Sequence, residues 1–330
     1  MPTTVWTGGG QQIAQQATIT VDAVAVGGTL SAVINAKSIT YTCVTGDTTT
    51  TAATELQELL VASDVPPEFA EITWTNPSAG VVLGIAAEPG TPFTLTKAQS
   101  GGATCTLANT VANSSQSDIN NANNWNRSGV AQLPQSGDDV VLANTDVPLL
   151  WNLTALNGTL LNSFTRYQSF TGSVGLPENN PLGYVEYKPT YLQLASNVTN
   201  FPLILGAGAG NGPTRERYDM QSYRYTGTII ASGSPADAYA IRLLGSHGLN
   251  AITVQGTSVG VCMLPTEVTP YGATLNLATV ANGGTLDCGA GCAFSGTAGG
   301  GTLTIQGGST TLFAVPSVVA RNNATVTLSA

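Results

Sequence analysis

Short apolar runs recur from about residue 223 to the end of the chain, separated by corners rich in Gly, Asn, Ser and Thr. The predicted strands are 228–231, 240–244, 251–255, 260–263, 274–280, 284–288, 302–306, 310–315 and 324–328. Short strands, permissive corners and an inward stack of Val, Ile and Leu are typical of parallel β-helices. A β-sandwich of hairpins is the alternative, although the Asn-Gly turns that mark two-residue hairpins are scarce. The pattern therefore favours a parallel β-helix or solenoid-like domain.

Charge is scarce along the whole chain, which carries 10 Lys and Arg against 19 Asp and Glu in 330 residues, a net charge of -9. No segment gathers the Lys and Arg cluster that neutralises phosphates, so nucleic-acid binding is not expected. No stretch approaches the roughly 18 apolar residues of a membrane span, and residues 1–10 lack the features of a signal peptide. Neither membrane anchoring nor secretion by the general route is expected.

The N-terminal part has the pattern of an α+β module. Alternating apolar residues predict strands over 17–24, 29–34, 37–43, 68–75, 81–87, 93–97 and 104–111. Asp47 stands at the expected N-cap of a helix whose apolar stripe includes Ala52, Leu56 and Leu60. The helix is expected to end by Asp64, because the prolines at 66–67 cannot continue it. We predict an antiparallel sheet with one packed helix over residues 1–112, a polar linker over 113–124 and the β-solenoid domain over 125–330.

The middle of the chain is less regular, with predicted strands over 149–151, 163–167 and 191–194. Its one charge cluster is Arg-Glu-Arg-Tyr-Asp at 215–219. A solvated loop is the simpler interpretation, with internal ion pairs worth at most about 1 kcal/mol each. A subunit contact is the alternative, because Arg and Tyr are enriched at protein interfaces.

The cysteines give little indication of a metal or redox site. Five are spread along the chain, and free buried thiols are the simplest expectation, although Cys288 and Cys292 are close enough in sequence to pair. A zinc site would need further ligands, and the only histidine, His247, has no partner motif. We predict no metal and no cofactor.

Catalysis is not expected either. Glycoside cleavage generally needs two carboxylates about 5 to 9.5 Å apart. From residue 221 onward the only acidic residues are Asp237, Glu267 and Asp287, which stacked coils could align in pairs. There is no Gly-x-Ser-x-Gly motif, and a Ser-His-Asp device would depend on His247 alone. We predict that the chain is not an enzyme and assign no catalytic residues.

A compact pattern of segments begins at the expected domain boundary. Its members are 124–125 (Asn-Trp), Pro134, 137–141 (Gly-Asp-Asp-Val-Val), 168–172 (Gln-Ser-Phe-Thr-Gly), 175–178 (Gly-Leu-Pro-Glu) and 183–192 (Gly-Tyr-Val-Glu-Tyr-Lys-Pro-Thr-Tyr-Leu). This pattern resembles a recurring segment of tailed-phage and prophage structural proteins. The preceding module resembles sheet-plus-helix domains of similar virion proteins, and together they cover roughly two thirds of the chain.

The resemblance implies a structural virion protein that binds and stabilises a phage capsid as a decoration or cement oligomer, with a homotrimer as the implied state. Its expected partners are the major capsid protein or other virion proteins, on the capsid surface after synthesis in the host cytoplasm. Alternatives are a head fibre or tail-associated adhesin that binds host surface glycan and, with less support, a polysaccharide-degrading tailspike. The residues expected as subunit contacts are Arg215, Arg217, Tyr218, Tyr223 and Trp125.

Overall fold

The computed structural model describes residues 2–196, 198–231 and 241–245, and, further along, the backbone of short strands between residues 251 and 329. The chain forms two compact units. The sheet-helix unit comprises Gly10–Gln116 and Asn179–Tyr187, and the ladder unit comprises Met1–Gly9, Ser117–Glu178 and Lys188–Ala330. The expected mainly β class, with one helix and several sheets, is confirmed.

The first 111 residues hold eight strands and one α-helix, α1, over Thr49–Leu60. The strands are β1 (Thr3–Trp6), β2 (Gln16–Ala23), β3 (Thr29–Ile34), β4 (Lys37–Thr42), β5 (Ile72–Ser78), β6 (Val81–Ala86), β7 (Thr96–Ser100) and β8 (Thr104–Val111). The strand expected over 68–75 begins only at Ile72, because Pro67–Glu71 form a 3-10 helix.

The sheet-helix unit has two antiparallel sheets, in the orders β5-β6-β2-β8 and β4-β3-β7. Helix α1 buries Ala52, Ala53, Leu56 and Leu60 in their common core. Its N-cap is Thr48, one residue after the expected Asp47, because Thr48 and Thr51 form a capping box. Asp47 instead accepts hydrogen bonds from the Tyr41 hydroxyl and from the backbone N–H of Val44, both at 2.7 Å.

The segment Asn179–Tyr187 belongs to the sheet-helix unit although residues on both sides of it belong to the ladder unit. Tyr184 and Tyr187 both donate their hydroxyl hydrogen bonds to the carboxylate of Glu71, which is buried. A buried carboxylate needs hydrogen-bond donors to offset its lost hydration. The two tyrosines supply them, so their bonds hold the segment in the sheet-helix unit. The strand β1 shows the reverse: it lies within the range expected for the N-terminal module but pairs with strands of the ladder unit.

The strands of the ladder unit after β1 are mostly short. They are β9 (Trp125–Arg127), β10 (Val130–Ala131), β11 (Asp139–Leu142), β12 (Leu160–Leu161), β13 (Ser163–Tyr167), β14 (Leu192–Gln193), β15 (Ala195–Ser196), β16 (Phe201–Ala207), β17 (Glu216–Asp219), β18 (Tyr225–Ile229), β19 (Ile241–Leu244), β20 (Ala251–Val254), β21 (Gly260–Cys262), β22 (Thr274–Leu275), β23 (Leu277–Val280), β24 (Thr285–Asp287), β25 (Ala293–Ser295), β26 (Thr302–Gln306), β27 (Ala320–Arg321) and β28 (Thr325–Ser329). The strand expected over 310–315 lies outside the described residues.

One long sheet runs through this unit in the order β10-β9-β1-β11-β13-β16-β18-β20-β23-β26-β28. All its pairs from β1 to β28 are parallel, and only β9 and β10 at one end pair antiparallel. A second parallel sheet has the order β14-β17-β19-β21-β24. Successive strands from β16 to β21 therefore alternate between the two sheets.

The core of the ladder unit is built from side chains that stack in register along these sheets. In the long sheet, Trp6, Leu142, Arg166, Leu205 and Ile229 are successive ladder partners. The corresponding column along the second sheet is Leu149, Val174, Glu216 and Ile241, in which Leu149 and Val174 lie outside its strands and join it through isolated bridges. All nine side chains are buried, so each column holds one charged residue among apolar ones.

Gly206 occupies a special position in β16. The pairing of β13 with β16 shifts there, from Arg166 with Leu205 to Tyr167 with Ala207, so Gly206 has no ladder partner on β13. Its φ of +93° is a conformation that side chains disfavour, and a Cβ at this position would overlap the backbone of Ala231. The glycine therefore lets the chain at Ala231 approach β16 closely.

Substitution of Gly206 by Ala should destabilise the ladder unit strongly, because it adds backbone strain of about 1–2 kcal/mol and a clash with fixed backbone. Gly137→Ala is the matched control, since Gly137 has a φ of +88° and open space around its Cβ position. Urea unfolding followed by tryptophan fluorescence should show a clearly larger loss for Gly206→Ala. Equal losses would contradict the proposed close approach.

Candidate functional site

Two tryptophans pack together at the end of the ladder unit where the strands pair antiparallel. Trp6 of β1 and Trp125 of β9 are ladder partners, with ring centroids 4.9 Å apart in an edge-to-face arrangement. Trp6 Nε1 donates to the carbonyl oxygen of Val147 at 2.9 Å, and Trp125 Nε1 donates to that of Ile119 at 2.8 Å. Both rings are buried, and both N–H groups are satisfied, as buried tryptophans require.

Asp138, in the Gly-Asp-Asp segment 137–139, forms several hydrogen bonds at the same end of the ladder unit. Its carboxylate accepts from Thr4 Oγ1 at 2.7 Å, from Arg127 Nε and Nη2 at 2.7 and 3.0 Å, and from the backbone N–H of Gln135 at 3.0 Å. Burial alone would raise the pKa of Asp138, but the bonds from Arg127, Gln135 and Thr4 outweigh it and lower the pKa. Asp138 therefore stays ionised and links β1, β9 and β11.

A fully buried ion pair joins the two columns of the core. Arg166 of β13 donates from Nε to Glu216 Oε2 at 2.9 Å and from Nη2 to Glu216 Oε1 at 2.5 Å, and both side chains have no exposed surface. Arg166 also donates to Gln168 Oε1 and, at 2.8 Å, to the carbonyl oxygen of Ala231. The Tyr218 hydroxyl donates to Glu216 Oε2 at 2.9 Å. The guanidinium is thus bonded through all three of its nitrogens.

The electrostatics of this pair are those of charges held away from water. Burial raises the pKa of Glu216, and the charge of Arg166 and the bonds from Arg166 and Tyr218 oppose that rise. Burial and the neighbouring Glu216 charge raise the pKa of the Tyr218 phenol well above its ordinary value. Tyr218 therefore acts as a permanent hydrogen-bond donor inside the core.

The interpretation of 215–219 as a solvated loop is wrong. Glu216–Asp219 form β17, and all four residues are buried. The alternation of a strand places Glu216 and Tyr218 towards the core and Arg217 and Asp219 on the opposite face. Four charges in five residues suggested solvent exposure, but buried charges are tolerated where each has a bonded partner.

The opposite face of β17 and β19 carries a second group of charged residues, which we call the arginine cluster: Arg217, Arg242, Glu178 and Tyr191. Arg217 and Arg242 donate from Nη1 to the same oxygen of Glu178, at 3.2 and 2.5 Å. The Arg217 guanidinium lies over the ring of Tyr191, 5.7 Å from its centroid. Burial raises the pKa of the Tyr191 phenol, although the charges of Arg217 and Arg242 oppose that rise.

The five residues expected as subunit contacts occupy different environments. Trp125 and Tyr218 lie in the hydrophobic core of the ladder unit, and Arg217 is buried in the arginine cluster. Arg215 is half-buried and donates from Nε to the carbonyl oxygen of Gly175 at 3.0 Å, and Tyr223 is half-buried. The chain's own atoms therefore enclose Trp125 and Tyr218, and contact of any of the five with a second subunit stays a prediction.

Arg166, Glu178 and Arg242 were not predicted from the sequence as site residues. A signal was present for Arg166, because it lies two residues after Phe164 in a strand predicted over 163–167. Residues two apart share one face of a strand, so Arg166 had to face the same core as Phe164. No comparable signal existed for Glu178, since it stands in a loop whose course the sequence does not fix.

The residues considered for catalysis are mostly outside the described part of the chain. Asp237, Glu267 and His247 lie there, as do Cys288 and Cys292. Asp287 ends β24, where the structure gives the backbone only. Cys43 and Cys105 are free and buried. Within the described ranges, no group of three or more His, Cys, Asp or Glu side chains is arranged to hold a metal ion.

No protein-family model matches this chain. No curated protein matches it either. Among the residues that the structure covers, no helix combines the length and the apolar character needed to cross a bilayer.

The buried ion pair predicts strong coupling between its two members. Glu216→Leu and Arg166→Met should each lower the free energy of unfolding of the ladder unit by about 3–5 kcal/mol, because each leaves one buried charge without its partner. The double variant should lose clearly less than the sum. Urea unfolding in a Trp74→Phe background would report this, since Trp6, Trp125 and Trp151 lie in the ladder unit and Trp74 does not. Additive losses would contradict the coupling.

The lowered pKa of Asp138 predicts acid sensitivity. A carboxyl group whose pKa is lower in the folded state binds more protons when unfolded. Its contribution to stability is therefore complete above the unfolded pKa of about 3.9 and is lost as pH falls from there through the lower pKa of the folded state. Asp138→Asn should be less stable at pH 7 and should lose less stability than the unmodified protein between pH 5 and pH 3. Asp146→Asn, at an exposed position, is the control. Parallel pH profiles for the unmodified protein and Asp138→Asn would contradict the assignment.

Proposed function

We propose that the ladder unit is a parallel β-helix. The support is the order of its strands, because parallel partners follow one another along the chain and alternate strands join two different sheets. Each turn of such a coil would present one strand to each sheet, and like residues would stack in columns. The two columns that contain Arg166 and Glu216 fit a coil of this kind, because their other members are all buried apolar residues in successive ladder positions.

We propose further that the protein is a structural component of a tailed-phage virion, bound to the capsid as a decoration or cement oligomer. The observation that carries this proposal is that charged side chains pair with each other inside the fold. Two ion pairs do so and stiffen it, Arg166–Glu216 and Arg127–Asp138. A rigid ladder of this kind, joined to a sheet-helix unit, suits a part that is held by its neighbours.

The sequence resemblance to phage and prophage structural proteins supports the same proposal and supplies the homotrimer. The mechanism is mechanical: an oligomer that bridges coat subunits adds buried interface to the assembled shell. Binding to the assembled state alone stabilises that state by mass action. The sheet-helix unit would dock on the shell, and the ladder unit would hold neighbouring subunits.

The oligomeric state gives a direct test of this proposal. Sedimentation equilibrium of the purified chain should give three times the chain mass of 33.6 kDa, because each trimer would bury large subunit interfaces. A protein that stays monomeric at the highest soluble concentration would contradict assembly as its role.

The position on the particle separates the shell from the tail. Gold-labelled antibody against the protein, viewed on assembled virions by negative-stain electron microscopy, should decorate the capsid surface. Label confined to the tail would contradict a decoration role and support the adhesin. Antibody against the major capsid protein of the same particles is the positive control.

A further inference from the structure

The arginine cluster on the outer face of β17 and β19 has the form of a carboxylate-binding site. Arg217 and Arg242 are direct ladder partners, and adjacent strands lie about 4.8 Å apart. Their two Nη1 atoms converge on one oxygen of Glu178. Two guanidinium groups that share one carboxylate oxygen form a clamp suited to a carboxylate.

The clamp is preorganised on its inner side and open on its outer side. Arg217 is only 5% exposed and lies over the Tyr191 ring, so its guanidinium has little freedom to move. Arg242 is 25% exposed and Glu178 is 33% exposed, so solvent reaches the carboxylate and the second arginine. A ligand can therefore approach Arg242 while Arg217 stays in place.

The cluster also has unused capacity for an anion. Its three charged side chains carry two positive charges and one negative charge. The Nε of Arg217 is buried and has no hydrogen-bond partner among the described residues. An unbonded donor on a buried guanidinium costs free energy, so Glu178 does not satisfy Arg217 completely.

We propose that the arginine cluster binds the carboxylate of an acidic sugar, and that Glu178 occupies the clamp when no ligand is bound. Glu178 shows that the clamp accepts a carboxylate, and it follows Gly175-Leu-Pro in a loop rather than a strand. Within the cluster only Arg242, at 25%, and Glu178, at 33%, are appreciably exposed, whereas a stable protein interface takes about 800 Å² from each partner. A small sugar acid therefore suits these two side chains better than a folded protein does. This inference goes beyond the proposed role on the shell and does not depend on it.

Titration calorimetry with tetragalacturonate on the full-length protein tests the site. The unmodified chain should bind it, and Arg242→Gln should weaken binding by about tenfold or more, because one charge-assisted bond is lost. Glu178→Gln should strengthen binding severalfold, because it removes the competing carboxylate. Lys97→Gln and Asp146→Asn change the net charge in the same directions at exposed positions that are not part of the cluster and should leave binding unchanged.

Three results would overturn the proposal: no binding to the unmodified chain or to Glu178→Gln, equal binding of poly-L-glutamate or dextran sulfate, or binding that Arg242→Gln does not weaken. Arg242→Lys provides a second variant if Arg242→Gln fails to fold. It keeps the charge but loses the planar fork, so weaker binding than in the unmodified chain is expected. The gain expected for Glu178→Gln is a result that a damaged fold could not produce. A monomeric mass or label on the tail would count against the shell role without affecting this site.

Discussion

The ladder unit depends on one buried interaction, the ion pair between Arg166 and Glu216. Each residue is the single charged member of a column of apolar side chains, and the two columns belong to different sheets. Apolar contacts tolerate small shifts along a column, because one Leu or Ile replaces another at little cost. A buried charge tolerates none, because a shift would separate it from its partner. We infer that this pair fixes the register of the two sheets, even where an apolar pair would give equal stability.

The surroundings of the pair follow from the need to satisfy it. Arg166 needs an acceptor beyond Glu216, and the carbonyl oxygen of Ala231 supplies it at 2.8 Å. That carbonyl can come close only because Gly206 has no side chain and adopts a positive φ. Tyr218, two residues after Glu216, supplies a further donor from the same face of β17. The opposite face of the same strand carries Arg217, so one short segment serves both the core and the arginine cluster.

Local sequence patterns predicted much of the fold but little of its polar interior. Strands such as Thr29–Ile34 and Ser163–Tyr167 were predictable, because their apolar residues alternate. The helix was predictable from its stripe, whereas the choice of Thr48 over Asp47 as its cap depended on bonds between neighbours. The strand Glu216–Asp219 was missed because its charges suggested solvent. Partners distant in sequence make their burial acceptable, Arg166 for Glu216 and Glu178 for Arg217. The insertion of Asn179–Tyr187 into the sheet-helix unit depends on Glu71, which no local pattern connects to it.

Native-state hydrogen exchange on the Arg166→Met variant tests most directly whether the ion pair governs the ladder. If the pair fixes the register of both sheets, backbone amides of β13 and β16 in one sheet and of β17 and β19 in the other should lose protection together and by similar amounts. Loss of protection confined to β13, with β17 and β19 unchanged, would contradict the account.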